Sequence, residues 1–240
     1  MKSILDICKE VADLAATKRP EDLFNSASQQ DSIFLSVAKS TLDSLLRYGD
    51  WQELTKEGVL RTSGRRGWYL LAEICPDFYS LLNNTIYIRD EHEKVIGAIN
   101  PEDWMREKYF YETASQTKFK IQNGMLKFLT PPADGIKIVF QYRSNIVCYD
   151  PQRGYEEKSA ITKNTDIPVF DEYLVKLGIL WRWLKRNGMD YSEEYTEYER
   201  ELKKKFAASL AVKDICLAGG FTGATEEKTG VIVHADTSDK

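Results

Sequence analysis

The chain has 240 residues and a formal net charge of −4, with 42% hydrophobic, 12% aromatic and 29% charged residues. This composition suits a soluble chain that buries a core without staples, and it excludes collagen, coiled-coil rods and wholesale disorder. No apolar run approaches the roughly 20 residues that span a bilayer, and the acidic balance argues against generic duplex-DNA binding.

Residues 3–16 are predicted to form a helix. Ser3 and Asp6 make a capping-box-like start, and Leu5, Cys8, Val11, Ala12 and Ala15 fall at helical spacing. Asp6, Glu10 and Asp13 interrupt the apolar stretch, which does not suit a signal-peptide core. Pro20 and its polar neighbours break the helix. A second helix is predicted over 31–48, buried through Ile33, Val37, Leu42, Leu45 and Leu46, with Gly49 as its C-terminal glycine.

From Trp51 to Asp150 the pattern turns to strands. TSGRRG (62–67) reads as a loop between two strands, and Pro76 as the opening of a short helix, PDFYSLLNN. TIYIR (85–89) and KVIGAI (94–99) read as a hairpin around a charged turn. Pro101 suits the first turn of a helix, PEDWMREK. In 118–149, KFKIQ and MLKFL flank Asn123-Gly124, the strongest short-range hairpin signal. IKIVFQYRS then reads as the third strand of an antiparallel meander with one apolar face. Residues 151–169 read as a connecting loop.

Residues 171–208 are helical in pattern. Leu174, Leu177, Trp181, Leu184, Gly188, Tyr191, Tyr195, Tyr198 and Leu202 recur in steps of three and four. Lys185-Arg186-Asn187-Gly188 is a stop signal and Asp190 or Ser192 a restart, so a helical hairpin is expected ahead of a single rod. Trp181 and Trp183 project about 200° apart. Trp181 is taken as the inward residue and Trp183 as one that meets another element or subunit. The tail, 211–240, is glycine-rich and poor in large apolar residues, and is expected to gain order only from a partner.

Signals of chemistry are sparse. The cysteines Cys8, Cys75, Cys148 and Cys216 are far apart and read as reduced packing residues. His92 and His234 are the only histidines, too few for a histidine-based metal site. Asp90, Glu91, His92 and Glu93 read as a charged hairpin tip rather than a cation site. AGGFTGATEEKTG lacks the phosphate-loop spacing, and no G-x-S-x-G occurs. Glu193, Glu197 and Glu201 form an acidic stripe at four-residue spacing, read as solvated or subunit-facing. Arg61, Arg65 and Arg66 make a basic loop, and Lys203, Lys204 and Lys205 a basic helix end that complements the helix dipole.

Five segments together resemble the head-to-tail adaptor (connector) proteins of tailed bacteriophages, above all the short-tailed type. They are SILDICKEVADLA, RYGDWQELTKE (47–57), PDFYSLLNNTIYIR with INPEDWMREK (76–108), KFKIQNGMLKFLTPPADGIKIVFQYRSN (118–145) and DIPVFDEYLVKLGILWRWLKRNGMDYSEEYTEYERELKKKF (166–206). Their order and content over about residues 3–206 carry the resemblance, and the tail contributes least. It implies a non-enzymatic virion protein of the neck, without catalytic, metal or cofactor-binding residues. It also implies a homo-oligomeric ring, twelve-fold, beneath the portal protein, continuing the channel through which double-stranded DNA passes and giving the tail (nozzle or tube) protein its attachment surface, with no membrane. A C-terminal arm would dock on the portal, with Phe221, Val231, Ile232 and Val233 as apolar anchors.

The expected fold is therefore α+β. N-terminal helices (1–50) and a C-terminal helical hairpin (166–210) form a bundle, with an inserted antiparallel β region (51–165) and an extended arm (211–240). Trp181, Trp183, Tyr191, Tyr195 and Tyr198 are candidates for the bundle core or a subunit interface. Two alternatives stand beside the adaptor: an enzyme with a carboxylate-based site, and a helical interaction module. For the latter, GMDYSEEYTEYEREL resembles one tetratricopeptide-type unit, although one unit alone cannot form a solenoid.

Overall fold

The computed structural model describes residues 1–64, 66–90, 92–110 and 117–211. The arm residues Phe221, Val231, Ile232 and Val233 lie outside the described residues, as do Arg65, Glu91, Cys216 and His234. The fold is a mixed α+β structure with six helices and antiparallel sheets among the described residues.

Helix α1 (Ile4–Leu14) is capped by the Ser3 hydroxyl, which accepts from the Asp6 amide, and it buries Ile4, Ile7, Cys8, Val11 and Ala12. Leu5 and Ala15 sit at the margin of that face. Helix α2 (Gln29–Tyr48) buries Phe34, Val37, Ala38, Thr41, Leu42, Leu45 and Leu46, with Ile33 only partly covered. Gly49 follows it with extended backbone (φ 179°), not the left-handed turn that its position suggested. Its glycine character has another cause. A Cβ at Gly49 would lie 2.4 Å from the ring of Phe206.

The C-terminal run is a hairpin of α5 (Glu172–Arg186) and α6 (Ser192–Ala211), turned at Gly188 with φ 71°. Helix α5 is the centre of the body, because α1, α2 and α6 all pack against it. Asp171 caps it by accepting from the Leu174 amide at 3.1 Å.

The two tryptophans exchange their expected places. Trp183 is 3% exposed and stacks on Phe34, with centroids 3.9 Å apart and planes within 6°. Trp181 is only partly buried and lies against Tyr191, Tyr195 and Tyr198. The pattern misled because it assumes one inward face. Helix α5 has neighbours on several sides, and the α2 side is the deeper one.

In the β region, β8 (Lys137–Ser144) is the central strand. Strand β1 (Thr55–Arg61) runs antiparallel along one edge of it, while β3 (Phe78–Leu81) and β4 (Tyr87–Ile88) share the other edge. Strand β5 (Glu93–Lys94) pairs with β4 as the short hairpin foreseen there. The segment after Pro76 is thus a strand and not a helix. Its Phe78 and Tyr79 favour a half-buried pleat, and the short helix α3 (Leu71–Ile74) precedes it.

Strands β6 (Phe119–Gln122) and β7 (Met125–Phe128) form the expected hairpin, with Asn123 and Gly124 both at positive φ, as a type I′ turn demands. The meander does not extend to β8. The third strand beside β7 is β2 (Trp68–Leu70), and the two sheets bury a shared core that includes Phe119, Leu126, Phe128, Ile138, Phe140 and Tyr142. Alternation gives β8 an apolar face, but it does not name the strand's neighbours.

Residues 148–168 are not a bare loop. Strands β9 (Cys148–Asp150), β10 (Glu156–Lys158) and β11 (Ile167–Pro168) form a small antiparallel sheet. Val147, Cys148 and Ile161 pack into the helical core. Helix α4 (Pro101–Phe110) begins after Asn100, whose side-chain oxygen accepts from the Asp103 amide at 2.7 Å.

Replacing Trp183 by Ala is expected to cost about 3–5 kcal/mol, the range for large aromatic deletions in a core. Trp181→Ala is expected to cost clearly less. Urea unfolding of both variants tests this, and an equal or larger loss at Trp181 would contradict the packing described.

Candidate functional site

The predicted interface aromatics converge on one flank of the α5–α6 hairpin. Trp181 meets Tyr195 edge-on at 5.1 Å, and Tyr191 and Tyr198 at about 6 Å. Tyr198 is buried, Tyr191 half-buried, and Tyr195 38% exposed. The cluster thus joins the two helices and leaves one rim open. Arg182 lies over the Trp181 ring at 4.3 Å, with Lys185 above Trp181 and Tyr191 at 5.8 and 5.6 Å. The electron-rich ring faces hold these cations near one another.

Arg182 donates to the Ser44 hydroxyl at 2.8 Å and to the Gly178 carbonyl at 3.0 Å. Burial holds its guanidinium below the usual arginine range. Beside it, Ser36, Val37 and Ser40 of α2 and Trp181, Lys185 and Arg186 of α5 line a groove of about 470 Å³.

The acidic stripe does not act as a unit. Glu193 is exposed, while Glu197 accepts from the Tyr173 hydroxyl. That hydrogen bond, with Glu197 carrying the charge, pushes the Tyr173 hydroxyl above its ordinary range. Glu201 pairs with Lys204 at 3.1 Å. The expected basic helix end is likewise divided among partners, with Lys203 3.7 Å from Glu199 and Lys205 2.7 Å from Asp171. Arg66 lies over the Trp68 ring at 5.0 Å, and Arg61 is the last residue of β1.

A second concavity, about 450 Å³, opens between the 3₁₀ turn at Gln52–Leu54 and the end of α6. Trp51, Phe170, Leu174 and Ala208 form its apolar wall. Its ionisable rim is already engaged. Glu53 accepts from the Ser209 hydroxyl at 2.8 Å. At Asp171 burial works against ionisation, but the Lys205 ammonium and the Leu174 amide more than offset it, so the carboxyl lies below the usual range.

The three thiols among the described residues are packing groups, as expected for them. Cys8, Cys75 and Cys148 are buried and unpaired. Burial pushes Cys8 up to about 12, and Cys148 reaches about 12 for the same reason, so neither thiol is a nucleophile at neutral pH. His92 is exposed at the tip between β4 and β5, with φ 54°. Among the described residues, no group of three or more His, Cys, Asp or Glu side chains could hold a metal ion, and no helix is long and apolar enough to cross a membrane.

Sequence reasoning passed over two groups. One is Arg143, 9% exposed, which donates to the Gly49 carbonyl and lies 3.1 Å from Asp50. It ties β8 to the end of α2, and no local pattern distinguishes it from an exposed strand arginine. The other is the lysine- and arginine-bearing half of α5. Lys185 and Arg186 were visible, but only as part of a helix stop, and Arg182 carried no signal of its own.

No protein-family model matches the chain, and no curated protein matches it in sequence.

The turn at 22–25 offers a pH test. Asp22 accepts from the Asn164 side chain and from the Phe24 and Asn25 amides, which hold its carboxyl well below the usual range. A carboxyl depressed on folding contributes stability above its unfolded pKa of about 3.9, and loses it as pH falls toward the folded value. Unfolding free energy is therefore expected to drop below about pH 4, and Asp22→Asn is expected to flatten the drop. Urea titrations from neutral to acid pH check this. An unchanged slope in Asp22→Asn would show that other carboxylates carry it.

Proposed function

We propose that this protein is a head-to-tail adaptor of a tailed bacteriophage. It is a non-enzymatic virion component that forms a ring between the portal and the tail, continues the DNA channel and gives the tail its attachment surface. The reading is carried by the ordered resemblance over about residues 3–206. One feature of the fold is compatible with it. The first and last described helices meet in one body around α5, with the β region entered and left at Trp51 and Val147.

In this reading residues 211–240 are the portal-docking arm, anchored through Phe221, Val231, Ile232 and Val233. An acidic conduit wall would repel phosphate and let DNA pass without trapping.

Co-sedimentation with the portal ring encoded in the same genome tests the proposal, comparing full-length protein with a version ending at Leu210. Full-length protein is expected to bind stoichiometrically and the shortened protein to remain free, with both melting at nearly the same temperature. Binding by neither would overturn the adaptor reading. Equal binding by both would move the contact from the arm to the folded body.

A further inference from the structure

The second half of α5 is unusual in its charge. From Leu177 to Arg186 it carries Arg182, Lys185 and Arg186 and no acid. Among the described residues none of these three has a carboxylate within 4 Å, although the protein as a whole is acidic and forms many ion pairs elsewhere. The facing side of α2 contributes Ser36 and Ser40, both exposed. Cations in a last helical turn complement the helix dipole, which accounts for Lys185 and Arg186. It does not account for Arg182, a turn earlier and desolvated. A desolvated guanidinium with only neutral partners is a ready acceptor of an anionic group.

The complementary surface lies on the same chain. Residues 190–201 carry Asp190, Glu193, Glu194, Glu197, Glu199 and Glu201 against Arg200 alone. Glu193 is exposed and has no cation within 4 Å among the described residues. The two surfaces face different ways. Tyr195 turns toward Trp181 and the groove, whereas Glu197 turns toward Tyr173. These two positions project about 200° apart on the helix. A subunit therefore cannot satisfy its own groove with its Glu193–Glu197 flank, but a second copy can.

We propose that the α2–α5 groove, centred on Arg182, Lys185 and Arg186, receives the Glu193–Glu197 flank of α6 from a second copy of this chain. Because the two surfaces are distinct, the contact is heterologous. Repeated head to tail, such a contact closes into a ring when the rotation between subunits permits. The inference rests on the oligomeric part of the proposed function and not on the identity of what the ring binds.

The test uses full-length protein and two charge reversals, Lys185→Glu with Arg186→Glu, and Glu193→Lys with Glu197→Lys. Sedimentation velocity is run on each protein and on their equimolar mixture, alone and with the portal ring, at low salt and above about 0.5 M, where screening is strong. Circular dichroism and melting curves establish that each variant is folded. The expected result is that wild type assembles, that salt weakens the assembly, and that each reversal alone stays monomeric. The mixture should regain the wild-type particle size, because each reversed surface now meets its complement. The inference is overturned if either reversal assembles like wild type, if the mixture of folded variants stays monomeric, or if wild type is monomeric both alone and with the portal. It is also overturned if the groove reversal leaves assembly intact and abolishes retention of a duplex DNA fragment, since the groove would then face nucleic acid. Failure of wild type to bind the portal, with mixing behaviour as expected, would refute the adaptor reading and leave this contact standing.

Discussion

The close approach of three helices to α5 is the constraint on which the rest of the fold depends. Gly178 makes it possible for two of them, α2 and α6. A Cβ there would lie 2.5 Å from Thr41 of α2 and 3.1 Å from the Tyr198 ring of α6. With no side chain at that point, α2 and α6 can both reach α5, and Phe34 can stack flat on Trp183. A glycine inside a helix costs about 1 kcal/mol relative to alanine, and the packing it permits outweighs that cost. Thr41 avoids an orphan hydroxyl in this contact by donating to the Val37 carbonyl at 2.9 Å.

The β region is fastened to this body by charge as well as by chain continuity. Arg143 brings the end of β8 to Gly49 and Asp50. Lys56 joins Asp77 to Glu157, linking β1, the start of β3 and β10. At Asp77 burial raises the cost of ionisation, while hydrogen bonds from Lys56 and Tyr142 more than compensate, so the carboxyl stays below its usual range. Asp77 is the more sheltered acid of this group and Glu157 is exposed, so the Lys56–Asp77 contact with its Tyr142 hydrogen bond is the stronger part of the linkage. The loop at 164–166 performs a similar role for the helices. The Asp166 carbonyl accepts from the Ile4 amide, and Asn164 holds both Asp22 and the Leu23 amide.

Charge distribution, more than net charge, gives this molecule its directional surfaces. The −4 total hides a cationic half of α5 and an anionic start of α6. Aromatic rings at Trp181 and Tyr191 hold the cations in place without neutralising them. Most acids of α6 are spoken for by Tyr173, Lys203 or Lys204, which leaves Glu193 as the exposed, uncompensated one at its N-terminal turn.

Local chemistry was enough to read the capped start of α1, the type I′ turn at Asn123-Gly124, the break at Gly188 and the packing role of the cysteines. Each depends on a few adjacent residues and on backbone conformations that few side chains allow. The sequence alone therefore determined the element types over most of the chain, the mixed α+β class and the helical hairpin at its end. Tertiary structure decided the partners. It chose β2 over β8 beside the hairpin, made a strand of Phe78–Leu81, gave residues 148–168 a sheet, and set Trp183 inward in place of Trp181. It also decided why Gly49 is a glycine and brought Ser36, Ser40 and Arg182 to one groove. Periodicity reports that a face is buried, whereas the identity of what covers it depends on contacts between residues far apart in the chain, which no local pattern encodes.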